Sequence, residues 1–113
     1  METMDMIDKN HGWYSLAISG DVDLYSAADL LKKTQEILQQ NISHLHIDCS
    51  RVNYLDSSGV GTIIRTMQAA KTKGIKITFS GIQGTPRRVL SMANILPIIT
   101  EAAPPHQKQE TRS

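Results

Sequence analysis

The sequence predicts a single small α/β domain whose four- to five-stranded mixed sheet carries its helices on one face. Its segments follow the order strand, strand, helix, strand, helix, strand, helix. Helical crossovers join parallel strands, whereas the first two strands can pair as an antiparallel edge. The strands alternate apolar and polar residues and each helix has one apolar stripe, so one face of the sheet is covered. We assign residues 1–101 to this domain and expect residues 102–113, which are polar, to form a disordered tail.

The first half of the chain contains two strands and a helix. Residues 4–7 predict a short edge strand, and residues 13–18 predict a half-buried strand that Gly20-Asp21 ends. Ser26 and Asp29 then match a capping box at the start of the first helix. The apolar stripe of this helix consists of Ala27, Leu30, Leu31, Thr34, Ile37 and Leu38.

The second half repeats the strand–helix pattern twice. Residues 44–49 predict a strand with Leu45, Ile47 and Cys49 on one face and His44, His46 and Asp48 on the other. A helix follows from Ser57, with Gly74 as the residue after its end, and residues 75–79 predict the next strand. Thr85 and Pro86 read as the N-cap and first residue of a third helix. The apolar residues of that helix are Val89, Met92, Ala93 and Leu96.

Composition excludes several classes of protein. The formal net charge is +1 and the longest basic cluster is Arg87-Arg88, which argues against a nucleic-acid or membrane surface. No apolar stretch approaches the roughly 20 residues that span a bilayer, and the N-terminus does not resemble a signal peptide. Cys49 is the only cysteine, so an intrachain disulfide is excluded. We expect a cytoplasmic protein without a cofactor or metal.

The most informative segment runs from Tyr54 to Thr62 and reads YLDSSGVGT. It places a carboxylate and two serine hydroxyls between a strand and a helix, and two glycines in the first helical turn. A helical glycine costs roughly 1 kcal/mol relative to alanine, so the pair costs about 2 kcal/mol. Either another part of the chain packs very close to this backbone, or a molecule outside the protein must approach it.

Two interpretations of Asp56-Ser57-Ser58 stay open at this point. Asp and Ser are favoured N-caps, so the residues can simply start a helix. Alternatively, the loop presents a serine hydroxyl to a partner, and a phosphoryl group added there would lie near free N–H groups at the helix start. One serine could serve both purposes, because a capping hydroxyl can also accept phosphate.

Enzymatic and metal-binding motifs are poorly matched. The lysine of a P-loop is missing after Gly61, and neither serine has the flanking residues of a nucleophile elbow. None of the four histidines follows a strand beside the loop, so a serine–histidine pair is not predicted. We interpret His44 and His46 as exposed strand residues rather than metal ligands.

The loop nevertheless resembles the most distinctive motif of the STAS domain family, and specifically of its bacterial anti-sigma factor antagonists. Residues 55–61 are similar to that family's apolar residue followed by D-S-[ST]-G-[LV]-G. Residues 20–23 resemble its G-[ED]-[LIV]-D segment, and residues 85–90 are a looser match to its third helix start. The resemblance covers residues 4–101 and implies a mixed sheet with helices on one face.

The resemblance also implies a non-enzymatic, partner-switching role. The unmodified antagonist binds an anti-sigma factor that is also a serine kinase of the histidine-kinase-like ATPase type. Phosphorylation releases the antagonist, and a PP2C-type phosphatase restores its binding form. The alternatives are a STAS module of another assembly, such as a stressosome-like complex, a secretion or surface switch or a transporter-linked complex, and an unrelated hydrolase.

Residue roles carry over from the motif by position. Ser57 is the implied phosphorylation site and Ser58 a second candidate, while Asp23 and Asp56 are implied partner contacts or orienters of the loop. Gly59 and Gly61 are implied to permit close approach of the partner. For Asp23, a turn or capping role is an equal alternative.

Two further pairs of residues have a favoured structural interpretation. Tyr25 and Tyr54 could contact a partner at the rim, but half-buried packing is favoured. Arg87 and Arg88 are interpreted as part of a solvated helix face.

Overall fold

The computed structural model describes residues 1–105 and shows a four-stranded mixed sheet with three helices. The sheet order is β1-β2-β3-β4; β1 and β2 are antiparallel, and the other two pairs are parallel. This confirms the predicted architecture. The elements are β1 (Glu2–Asp8), β2 (Trp13–Val22), α1 (Ala27–Leu38), β3 (His44–Leu55), α2 (Ser57–Thr72), β4 (Lys76–Ser80) and α3 (Gly84–Met92), followed by a 3₁₀ turn (Leu96–Ile98).

The core lies between the sheet and its helices, where the alternating strand residues meet the helical stripes. The strands contribute residues with no solvent exposure, α1 and α3 add buried leucines, and α2 adds smaller buried side chains. Burial of such a side chain contributes about 1.5–3 kcal/mol, so this layer stabilises the whole domain. Among the well-buried apolar side chains are Leu16, Leu45 and Phe79 from the strands and Leu30, Leu38 and Leu90 from the helices.

The chain after the 3₁₀ turn adds one bridge beyond β4. Glu101 pairs in parallel with Phe79, and the Ala102 amide donates to the Phe79 carbonyl. The Arg87 guanidinium donates to both carboxylate oxygens of Glu101, at 3.0 and 3.3 Å. Ala102, the first residue of the predicted disordered tail, is thus hydrogen-bonded to the sheet. Residues 106–113 of that tail lie outside the described part of the chain.

Several predicted element boundaries are wrong. Gly20-Asp21 does not end β2, because a register shift against β3 lets the strand continue to Val22. The third helix begins at Gly84 rather than at a Thr85 N-cap. It ends at Met92, which is 77% exposed although it was predicted to belong to the apolar stripe, and Leu96 belongs to the following turn.

The interpretation of His44 and His46 as exposed is also wrong. Both are buried on the sheet face opposite the helices, His46 with only 1% of its surface exposed. The His46 ring nitrogens lie 2.7 Å from the Thr78 hydroxyl and 2.8 Å from the Ser80 hydroxyl, and His44 lies 2.6 Å from Thr78. Hydroxyls of β4 satisfy these imidazoles, which removes most of the cost of burying them.

Within residues 1–105, no group of three or more His, Cys, Asp or Glu side chains is arranged to hold a metal ion. None of the helices in this part of the chain has the length and apolar character needed to cross a bilayer.

Candidate functional site

The candidate site lies at the edge of the sheet where the parallel strands end. Val22 ends β2 and Leu55 ends β3, and the two loops that follow are joined by a hydrogen bond from the Asp56 amide to the Val22 carbonyl, at 3.3 Å. The carboxyl edge of parallel strands is the usual position of functional loops in α/β domains. Here it brings together two segments, residues 21–26 and residues 54–61, that are distant in the sequence.

Asp56 is the N-cap of α2 and the central acceptor of the site. Its backbone is extended, and its Oδ1 accepts from the amides of Ser58 at 2.9 Å and Gly59 at 3.2 Å. Its Oδ2 accepts from the Leu24 amide at 3.2 Å. The capping interpretation is therefore right for Asp56. The expectation of free amides beside a phosphoryl group is wrong for Ser58 and Gly59, because the carboxylate already binds both.

Ser57 is the first residue of α2 and is exposed. Because Asp56 supplies the cap, the fold does not need the Ser57 hydroxyl, which has no hydrogen-bond partner within the described residues. Ser58, in contrast, is half-buried. Of the two serine hydroxyls, that of Ser57 is the more accessible to another protein.

The two glycines of α2 have different surroundings. A Cβ at Gly59 would lie 2.3 Å from the Leu55 Cδ1 and 2.8 Å from the Val22 carbonyl oxygen, so close internal packing excludes a larger residue. A Cβ at Gly61 would have nothing within 4 Å. Internal packing thus explains Gly59, whereas Gly61 leaves open space at the surface.

Asp23 organises the turn between β2 and α1. Its Oδ1 accepts from the amides of Tyr25 at 2.9 Å and Ser26 at 3.2 Å. The Ser26 hydroxyl lies 3.0 Å from both the Asp23 amide and the Asp21 carbonyl. Ser26 occupies the N-cap position, but the predicted capping box with Asp29 does not form. The Ser26 hydroxyl is bonded within this turn instead. The turn interpretation of Asp23 is confirmed.

Exposed apolar side chains flank these residues. Tyr25 is 88% exposed and Tyr54 44%, so half-buried packing is wrong for Tyr25. Leu24 is 68% exposed and was missed in the sequence, since a single leucine before a helix carries no signal of exposure. Arg87 pairs with Glu101, which raises the pKa of the guanidinium, while Arg88 is exposed.

The site lacks the partners of a nucleophilic serine among the described residues. His44 and His46 lie in the first positions of β3, at the end of the strand opposite to Ser57, and are bonded to β4 hydroxyls. His11 contacts Asp8 at 2.8 Å in the turn between β1 and β2. Within residues 1–105, no histidine is therefore placed to act as a general base for Ser57.

Comparison with known proteins agrees with the motif. The sequence model of the STAS domain matches residues 6–109. The chain belongs to the STAS domain family. This STAS domain is 26% identical over 97 residues to the anti-sigma-B factor antagonist of Bacillus subtilis (strain 168), covering 86% of this chain and 88% of that protein.

Solved structures show the same fold. The anti-sigma factor antagonist SpoIIAA in its unphosphorylated form superposes with a TM-score of 0.78 at 16% identity, over 98% of this STAS domain and 96% of SpoIIAA. The Bacillus cell fate determinant SpoIIAA in its phosphorylated form gives a TM-score of 0.71 at 15% identity, over 97% and 99% of the two chains.

Proposed function

We propose that this STAS domain is an anti-sigma factor antagonist that acts by partner switching in the cytoplasm. In its unphosphorylated form it binds an anti-sigma factor that is also a serine kinase of the histidine-kinase-like ATPase type. The kinase phosphorylates Ser57 and the complex dissociates, and a PP2C-type phosphatase restores the binding form. This chain supplies the acceptor hydroxyl and no catalytic group.

One observation carries the proposal: Ser57 presents an exposed hydroxyl at a helix start that Asp56 caps in its place. Modification of Ser57 therefore removes no contact that the fold requires. Two comparisons support the proposal, since the Bacillus subtilis relative is named an anti-sigma-B factor antagonist and SpoIIAA is known in both phosphorylation states.

The physical basis of the switch is local charge and bulk. A phosphoryl group adds about −1.5 to −2 charges at neutral pH. It would lie beside the Asp56 carboxylate, which already occupies the amides of Ser58 and Gly59. The new charge would thus remain on the surface, where it would repel and obstruct a bound partner.

The proposed partner surface is built around this serine. It comprises Asp23, Asp56, Ser57, Ser58, Gly59 and Gly61. Within it, Gly61 provides space for the partner, because a Cβ there would touch nothing within 4 Å. Gly59 acts indirectly, since its contact with Leu55 and Val22 fixes the start of α2.

The test is to incubate the chain with the purified anti-sigma factor kinase of the source organism and ATP. We expect one phosphate on Ser57, mapped by mass spectrometry, and loss of the complex. Ser57→Ala should bind the kinase with or without ATP, Ser57→Asp should bind weakly, and Ser58→Ala should still be released. Absence of phosphate, or phosphate only outside Ser57 and Ser58, would contradict the switch. Phosphorylation of Ser57 without any effect on an anti-sigma factor would instead favour another STAS assembly.

A further inference from the structure

Two large apolar side chains project from the turn beside the acceptor serine. Leu24 and Tyr25 are consecutive, and they are 68% and 88% exposed. Tyr54 lies on the same edge of the sheet, opposite Asp21 in the strand register, and is 44% exposed. Neighbouring exposed apolar residues of this kind mark contact surfaces more often than isolated ones do.

Three consecutive backbone amides of this turn donate hydrogen bonds to aspartate carboxylates. Asp56 accepts from the Leu24 amide, and Asp23 accepts from the Tyr25 and Ser26 amides. We call residues 23–26 the anchor turn. Because its backbone is fixed in the free protein, ordering it on association costs little, which favours affinity.

The anchor turn is continuous with the Ser57 site. The carboxylate that caps the acceptor helix is the same one that binds the Leu24 amide, at 3.2 Å. A partner that reaches the Ser57 hydroxyl therefore lies over this turn. Asp21 and Asp29 are exposed on either side of it, so a complementary partner would offer an apolar pocket flanked by basic groups.

We propose that Leu24 and Tyr25 are the apolar anchors by which the anti-sigma factor recognises this chain, and that Asp23 is a positioning residue that holds them. The identity of the partner rests on the proposed function. Binding energy concentrates in a few large, desolvated side chains, and tyrosine is enriched among them. Placing such anchors next to the acceptor makes the interface sensitive to phosphate on Ser57, because the added charge retains water beside them.

The anchors are tested by calorimetric titration of the purified anti-sigma factor kinase, without ATP, with Leu24→Ala and Tyr25→Ala. Each variant should raise the Kd about tenfold or more, as expected for anchor residues. Met4→Ala is the matched control, because Met4 is 67% exposed but lies on β1 opposite Ala17. Its Kd should change less than about twofold. Values for both anchor variants within that same range would overturn the proposal.

The positioning role of Asp23 is tested by two substitutions. The side-chain oxygen of Asp23→Asn can still accept from the Tyr25 and Ser26 amides, whereas Asp23→Ala cannot. We expect Asp23→Asn to bind like the wild type and Asp23→Ala to bind about tenfold more weakly while remaining folded in a thermal melt. Equal losses in both variants would show that the Asp23 charge contacts the partner directly, and would overturn the positioning role.

Two further results separate this inference from the proposed function. If Ser57→Asp binds like the wild type while Leu24→Ala binds weakly, the result contradicts the phosphorylation switch but supports Leu24 as an anchor residue. If Leu24→Ala binds the kinase normally but lowers the molar mass of a self-associated form in light scattering, a second copy of the chain covers the turn. That result would overturn the anchors.

Discussion

At the scale of single residues, Gly59 and Gly61 show how one sequence signal can have two causes. The spacing of the glycines predicts a cost in helix propensity and leaves open whether the chain or a partner approaches them. In the structure, Leu55 and Val22 press against Gly59, whereas Gly61 faces open space. The approach of α2 to the ends of two strands decides this difference. The local sequence does not predict this approach, because it depends on how α2 packs against the ends of β2 and β3.

This division predicts opposite stability effects for two similar substitutions. Gly59→Ala should lower the free energy of unfolding by about 1–3 kcal/mol, because its Cβ would overlap Leu55 and the Val22 carbonyl. Gly61→Ala should raise it by about 0.5–1 kcal/mol, since alanine favours a helix and meets no neighbour. Urea unfolding at neutral pH measures both. Equal effects of the two substitutions would contradict the structural distinction.

The substitution Gly61→Ala should also affect binding to the proposed partner. Gly61→Ala should weaken the complex with the anti-sigma factor kinase although the free chain becomes more stable, because its methyl group fills space proposed for the partner. The Kd measured without ATP tests this, with Gln68→Ala, an exposed change farther along α2, as a helix control. A Gly61→Ala complex as tight as the wild type would remove Gly61 from the proposed partner surface.

At the scale of elements, periodicity predicted which strands and helices exist, and tertiary contacts decided where they end. The alternation in residues 44–49 predicted the first part of β3. The rest of that strand, up to Leu55, lies beyond its pairing with β4 and exposes Ser50 and Arg51 in succession, so the simple alternation is lost. The local pattern predicted solvent-facing positions for His44 and His46, because the hydroxyls that hydrogen-bond to them come from the separate strand β4.

The contact between α1 and α2 depends on another pair of hydroxyls that sequence periodicity does not predict. Buried Thr34 and Thr66 lie 2.9 Å apart, and the Thr66 hydroxyl also donates to the Thr62 carbonyl at 2.8 Å. Thr66→Val should therefore lower the free energy of unfolding by about 1 kcal/mol. Thr72→Val is the control, since Thr72 makes the same bond to the Gln68 carbonyl but is exposed, and it should change stability by less than about 0.5 kcal/mol. A loss in Thr72→Val as large as that in Thr66→Val would mean that the interhelical contact contributes nothing.

At the scale of the whole molecule, the candidate site combines residues that fix the fold with exposed residues that are proposed to contact a partner. Asp56 and Gly59 fix the start of α2, while Ser57, Leu24 and Tyr25 are exposed. The motif at residues 55–61 predicts Ser57 as the acceptor, because its residue types are confined to one short segment, and this assignment stays a prediction. The exposed anchor turn could not be predicted in the same way, since its position beside Ser57 results from two strands ending at the same edge of the sheet.

The core makes a prediction about alkaline pH that is independent of the partner. Burial raises the pKa of Cys49 from 9.0 to about 12, and the charge of Asp48 adds to the shift. Burial and the hydrogen bond to Asp5 raise the pKa of Tyr14 from 10.0 to about 12. In both cases the folded chain holds a proton that the unfolded chain releases. Their stabilisation is therefore complete below about pH 9 and is lost as the pH rises toward about 12.

The urea midpoint should accordingly be higher at about pH 8 than at about pH 11, because unfolding at the higher pH releases both protons. Tyr14→Phe should be less stable at about pH 8, since it loses the contact with Asp5, but its midpoint should fall less steeply with pH.

Cys49→Ala should likewise make the urea midpoint fall less steeply with pH. The Cys49 thiol of the native chain should react with a disulfide reagent only after unfolding. A midpoint that is constant over this range would show that neither group titrates differently in the folded chain. Rapid labelling of native Cys49 would place its thiol outside the apolar layer that joins the sheet to the helices.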